Sequence, residues 1–458
     1  MSPPSPSLPR SIDAIPSTLA RPGAGPFWLA VLLTGIGTGA AAAALTRLLE
    51  IVQRMFWHGS GTDLLHSVQQ TGAWHRVLVL LGAGAVTGIG QLVLRRLSSG
   101  NGIDTTAAIW FYAGRMPALR TLGSAVLSVI IVGMGASLGR EGAPKQAGAV
   151  FANFFSDRIR LSDEQRRLLV ACGAGAGMAA AYGVPLGGAL FALEVMRGAL
   201  ALRYVLPALF ASVIATAVSW IALPDAPTYL IPSFTNSSSS MVWALLAGPI
   251  AGVVSVGYVR AVTWADRNKP EGWRRLTAPV LVLGLIGVGS IWFPQLLGNG
   301  KDLSQLAFSN QVAPGLLLTL LALRPAATIL CVGSGAPGGL FTPSLTVGAL
   351  LGGVLGHAWS WMWPGAPVGL FALMGAAAVL AATTQGPIST VILMMELTGR
   401  DRSFIAPMLL AVGTATLVAR TIELRSIYDA RLTDEEVEAR RTLREMPGDS
   451  PANLRQKQ

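Results

Sequence analysis

Glu141 lies in Gly139-Arg140-Glu141-Gly142-Ala143-Pro144, a polar break in a strongly apolar chain. Two more glycine-rich breaks accompany it, Gly100-Asn101-Gly102-Ile103-Asp104 and Gly339-Leu340-Phe341-Thr342-Pro343. Each is predicted to open a helix inside a bilayer. A helix beginning at membrane depth leaves its first N–H groups unpaired and carries roughly half a positive charge there. Several such ends aimed at one point make a site for a small anion. Backbone N–H groups near Gly142, Phe341 and the 101–103 turn return an ion's hydration energy without the grip of a full charge. Arg140 and Lys145 are therefore expected to act at a distance or structurally. A carboxylate beside such a site competes for it. Ionised, Glu141 occupies the path; protonated, it swings away, which couples protons to anions.

The elements that position these breaks are read as membrane helices. The 458 residues are 52% hydrophobic and only 12% charged, with a mean hydropathy of +0.54. Apolar stretches of spanning length recur, among them 27–45, 77–93, 205–223, 241–262, 277–293, 316–332 and 405–418. Other segments are too short to cross alone, which predicts an all-α polytopic membrane protein with half-spanning helices buried among full ones. The excess of 34 Lys+Arg over 23 Asp+Glu gives +11. These charges fall in connectors, at Arg158, Arg160, Arg166 and Arg167 and at Arg267, Lys269, Arg274 and Arg275. There they mark a cytoplasmic face, and nucleic acid is excluded as a partner.

Cys172 and Cys331 form no disulfide framework. His58, His66, His75 and His357 lack metal-ligand spacing, with the first three read as lying in a solvated connector, so neither metal nor cofactor is expected. Trp359, Trp361 and Trp363 read as interface anchors. No paired-aspartate metal motif, nucleophile elbow or zinc pair supports a membrane-embedded enzyme. Residues 1–26 read as a flexible cytoplasmic lead. Residues 431–458 read as a charged tail that buries no core and adds no regulatory domain.

The chain also repeats. Gly100-Asn101-Gly102-Ile103-Asp104 matches Gly298-Asn299-Gly300-Lys301-Asp302 at an offset of 198. Gly139 and Gly148 align with Gly339 and Gly348 at 200, and Pro185 and Glu194 with Pro387 and Glu396 at 202. Ordered matches with a slowly drifting offset predict two halves, roughly 76–222 and 277–422, packed as inverted repeats around a shared site.

These segments together resemble the CLC family of chloride channels and proton-coupled anion transporters. The resemblance spans most of residues 27–430 and rests on GNGID, GREGA followed by Pro144, an intact GLFTP, and Tyr428 near the end of the last helix. It implies a CLC-type inverted-repeat fold, a multi-pass protein of the bacterial inner membrane, and a homodimer with one pathway per subunit. It makes Glu141 the external gate. It places the anion, most simply chloride, against Asn101, Gly102, Ile103, Gly142, Leu340, Phe341 and Tyr428.

Two positions depart from the family pattern. Asn101 stands where the family carries serine, a replacement some fluoride exporters share, although GLFTP resembles the chloride branch. Val195, which cannot titrate, stands where exchangers carry a proton-passing glutamate. The resemblance therefore leaves exchanger and channel both open, with protons as an additional cargo in the first case. Glu194, one residue earlier, is expected either to be a shifted proton relay or to pair with Arg197 along a helix face. Glu396, its repeat mate, is expected to be structural.

Overall fold

The computed structural model describes residues 15–16, 23–57, 63–97, 104–234, 237–365, 367–399 and 404–445. Among these, eighteen α-helices are found and no strand. In the first half run α1 (Ala24–Trp57), α2 (Leu64–Gln70), α3 (Ala73–Leu97), α4 (Thr105–Phe111), α5 (Ala118–Gly133), α6 (Gly142–Ile159), α7 (Asp163–Tyr182), α8 (Pro185–Phe191) and α9 (Leu202–Ser219). A π-helical turn, Ala192–Arg197, extends α8. The second half contains α10 (Ser238–Arg267), α11 (Arg274–Gly289), α12 (Lys301–Phe308), α13 (Pro314–Gly333), α14 (Phe341–Met362), α15 (Val368–Thr384), α16 (Pro387–Thr398) and α17 (Ile405–Ile422). The last described helix is α18 (Asp434–Glu445).

The halves correspond element by element, α3 to α9 with α11 to α17. The long helices α1 and α10 extend the correspondence, since α1 packs on α6, α7 and α9 while α10 packs on α14, α15 and α17. Gly148 carries the α6–α7 crossing, where a Cβ would strike the Gly173 carbonyl; Gly348 carries the α14–α15 crossing against Gly375 in the same way. Close backbone approach at small residues is how membrane helices gain packing without a hydrophobic drive.

Six described helices are long and apolar enough to cross a membrane, beginning at Ala24, Ala73, Leu202, Ser238, Pro314 and Ile405, and α5, α15 and α16 are shorter apolar helices. Their outward faces carry exposed Leu78, Leu318 and Leu417, as a lipid-facing surface requires. By contrast α15 is buried along its whole length, which explains why it is apolar on every side. Local signals set the ends. In α7 a capping box joins Ser162 and Gln165, Asp163 and Glu164 fill the first turn, and Gly183 closes the helix in the left-handed region.

Three expectations change here. His66 and His75 belong to α2 and α3 rather than to an open connector, and the His75 ring bonds the Phe56 carbonyl oxygen at 2.7 Å; His58 lies outside the described residues. Of the N-terminal lead, Ile15 and Pro16 are buried, and helix α1 begins at Ala24. Within the charged tail, Asp434–Glu445 form α18, and Arg440 is 3% exposed because it finds a buried carboxylate on the body of the protein, Asp429.

Candidate functional site

Helices α6 and α14 open toward each other. Just before them, Gly139 and Gly339 exchange backbone hydrogen bonds, Gly139 N to Gly339 O at 2.7 Å and Gly339 N to Gly139 O at 2.8 Å. A Cβ on either glycine would collide with the Glu141 carboxylate, so the breaks are glycine because the two chains and that side chain share one small space.

Glu141 precedes the first residue of α6 but makes no side-chain cap to its own helix. Its carboxylate reaches across to α14 instead. Phe341 N donates to Oε1 at 2.7 Å, Thr342 Oγ1 to Oε2 at 3.0 Å, and the Tyr182 hydroxyl to Oε2 at 3.3 Å. The Tyr182 and Thr342 hydroxyls also lie 2.8 Å apart. Glu141 is 2% exposed, so its carboxylate is buried at the positive end of a helix and met there by hydrogen-bond donors.

Of the third break, Asp104 is the described residue, and it lies with the other two. Asp104 caps α4 by accepting from Thr106 N at 2.8 Å. It lines one cavity with Glu141, Gly142, Lys145, Leu340 and Tyr428. Thus Glu141, Gly142, Leu340, Phe341 and Tyr428 come together, while Asn101, Gly102 and Ile103 lie outside the described residues. Tyr428 sits in the short turn Ile427–Asp429 with its ring edge-on to Phe191, the centroids 5.4 Å apart. Its hydroxyl is buried and has no partner among the described residues, leaving one donor free in the cavity.

Other expected residues fall elsewhere. The Glu194 carboxylate accepts from Ile388 N at 3.1 Å and Ser389 N at 2.6 Å, at the head of α16. Val195 contributes its carbonyl oxygen to Arg440 Nη2 at 2.8 Å. The expected Glu194–Arg197 pair is not formed: the π turn swings Arg197 away, and its guanidinium bonds Glu164 at 2.6 Å. Glu396 takes Leu186 N at 3.0 Å and Gly187 N at 2.6 Å. Arg140 stacks on Tyr182, 4.9 Å from the ring centroid, as a structural role would have it. Lys145 does not stay at a distance. Four residues after Glu141 on the same helix face, it reaches the cavity, its ammonium 4.5 Å from the Tyr428 ring centroid.

Tyr182 and Thr342 join the site without being singled out by the motifs. Thr342 was within reach of the motif reasoning, being the residue after Phe341 in an intact GLFTP. Tyr182 carries no local signal, since it ends α7 and meets the site only through tertiary packing.

A buried carboxylate clasped by the opening helix of the opposite repeat lines a cavity with an unpartnered hydroxyl donor, in a chain whose six long apolar helices make it a polytopic membrane protein. Residues 82–420 match the family described as voltage gated chloride channel, and the chain belongs to that family, the CLC proteins. A curated relative, the putative chloride channel protein ClcB-like of Ralstonia nicotianae, is 31% identical over 439 residues, covering 92% of this chain and 99% of the relative. The fold is that of a slow cyanobacterial Cl−/H+ antiporter, with a TM-score of 0.77 at 23% identity over 92% of this chain and 99% of that one. A CLC-type fluoride/proton antiporter superposes with a TM-score of 0.70 at 21% identity, covering 89% and 98%.

Proposed function

We propose that the protein moves small monovalent anions, chloride first among them, across the membrane through the cavity between α4, α6, α14 and Tyr428, with Glu141 as the gate. One observation carries the reading: the Glu141 carboxylate is held on Phe341 N at 2.7 Å at the head of α14. An ionised carboxylate there stands in for the anion itself, and its protonation would release those donors to the cargo. The free Tyr428 hydroxyl is a second ligand group, Gly142 and Leu340 supply more of the wall, and Asn101, Gly102 and Ile103 are assigned to the site on the motif alone. The transport unit is residues 27–430, built from the two repeat halves, and the working assembly is a homodimer in a bacterial plasma membrane. No cofactor takes part and no covalent chemistry is performed.

The test is reconstitution into liposomes under a chloride gradient, with anion efflux and external pH followed together. Chloride efflux above empty liposomes supports the reading. Fluoride efflux without chloride efflux transfers it to fluoride, and movement of neither anion overturns it. Proton movement opposed to the anion identifies exchange, whereas anion flux at constant pH identifies passive flow.

A further inference from the structure

Lys145 is the charge near the gate that the reading above does not use. It is 7% exposed, one turn after Glu141 on α6, and lines the same cavity. On its tail side lie two carboxylates and two further cations. Asp104 accepts from Thr106 N at 2.8 Å and from Arg431 at 3.4 Å. Asp266 pairs with Lys269 and lies 3.5 Å from Arg431 Nε. Arg431 bridges Asp104 and Asp266, Lys269 pairs with Asp266, and Lys145 shares the field of Asp104 and Glu141 without an ion pair to either. Among the described residues no salt-bridge partner faces its ammonium. Its nearest recorded contact is the face of Tyr428, whose own hydroxyl also lacks a partner.

An ammonium offers three donors and no acceptor, and the hydroxyl offers one more donor. Neither is bonded to the carboxylates that share the cavity, so both remain available to an anion entering it. A second cavity of 310 Å³ shares Asp104, Gln146 and Arg431 with the first and reaches Glu436 of α18 on the tail side of the protein.

We propose that Lys145 is an anion-binding residue, holding the permeant ion together with the Tyr428 hydroxyl on the tail side of Glu141. The inference rests on the transport reading and adds to it a residue that fixes affinity. The π face of Tyr428 and the Asp104 carboxylate temper the lysine's field, so the ion is bound more tightly than by peptide dipoles alone and is still released.

The test is chloride binding by titration calorimetry on the purified full-length protein, with liposome flux measured alongside. Lys145→Met is expected to weaken chloride binding at least tenfold and to raise the half-saturating chloride concentration of flux by a similar factor. Lys145→Arg should stay within about threefold of the parent by keeping the charge. Asp104→Asn, which still caps α4, should tighten binding, a direction that a purely structural lysine would not produce. If Lys145→Met does not fold, Lys145→Gln and Asp104→Asn provide the same comparison. Unchanged affinity in folded Lys145→Met or Lys145→Gln, or no tightening in Asp104→Asn, overturns the assignment. A parent protein that neither binds nor moves chloride or fluoride overturns the transport reading itself.

Discussion

Glu194 and Glu396 cap each other's helices. Each is the ninth residue after a proline that begins a helix, Pro185 in α8 and Pro387 in α16. Glu194 accepts the first free N–H groups of α16, and Glu396 accepts those of α8. Both helices begin with proline, which removes one donor, and the opposite repeat's carboxylate takes the next two. Equivalent residues making reciprocal contacts require a twofold relation between the halves.

Removing either cap leaves two N–H groups without an acceptor. Glu194→Ala and Glu396→Ala are each expected to cost about 0.5–2 kcal/mol, the usual range for a lost helix cap, and to lower the melting temperature in detergent. Glu194→Gln keeps an oxygen at the cap and should leave any proton-to-anion ratio unchanged in liposomes. A change in that ratio without a change in anion flux would instead make Glu194 a proton relay.

Glu141→Ala removes the carboxylate that competes with the anion for Phe341 N. Anion flux should persist in this variant within about tenfold of the parent, the scale of one hydrogen-bonded ligand changed, while proton movement falls to the background of empty liposomes. The measurement is the simultaneous chloride and pH record. Full proton movement in Glu141→Ala would place the gate elsewhere.

Much of this site was legible because duplication left matched spacings in the chain. The alignment of Gly139 with Gly339 pairs two residues that prove to be hydrogen-bonded to each other, and the alignment of Gly148 with Gly348 pairs two equivalent helix crossings. What stayed hidden depends on tertiary geometry. A helix-face argument joined Glu194 to Arg197, but a π turn breaks the α-helical register there, and Glu194 finds its donors 194 and 195 residues away. A general rule about full charges has Lys145 act at a distance or structurally, and its place in the cavity one turn after Glu141 is visible only once α6 is folded.

The tail helix holds the tyrosine turn. Arg440 of α18 pairs with Asp429, the neighbour of Tyr428, donates to the Val195 carbonyl oxygen at 2.8 Å, and stacks over Trp110 at 5.1 Å. Asp429 also takes Ser426 N at 2.9 Å and Ser426 Oγ at 2.7 Å. Arg440→Ala strands a buried carboxylate and is expected to cost about 3 kcal/mol, the lower end for breaking a buried pair because the serine bonds remain. The loosened turn should also weaken chloride binding several-fold. A double-mutant cycle with Asp429→Asn checks the pairing: the cost of Arg440→Ala should shrink when the carboxylate is already gone.

The same helix is tied at its first turn in a way that pH reads directly. Asp434 is bonded by Arg267, at 2.6 Å, and by Arg425, and these guanidiniums hold its carboxyl down from the ordinary 3.8 to about 2. A carboxylate whose folded value is depressed contributes to docking above its unfolded value and loses that contribution as pH falls toward the folded one. The window is therefore pH 4 to 2, and nothing should change from this group between pH 7 and 5. Because the pair is exposed, its contribution is small and screened by salt. Hydrogen exchange across residues 434–445 should show protection that is flat down to about pH 4 and falls below it at low ionic strength, after correction for the intrinsic pH dependence of exchange. Asp434→Asn should remove that step, and a step that survives the substitution would mean that another group anchors α18.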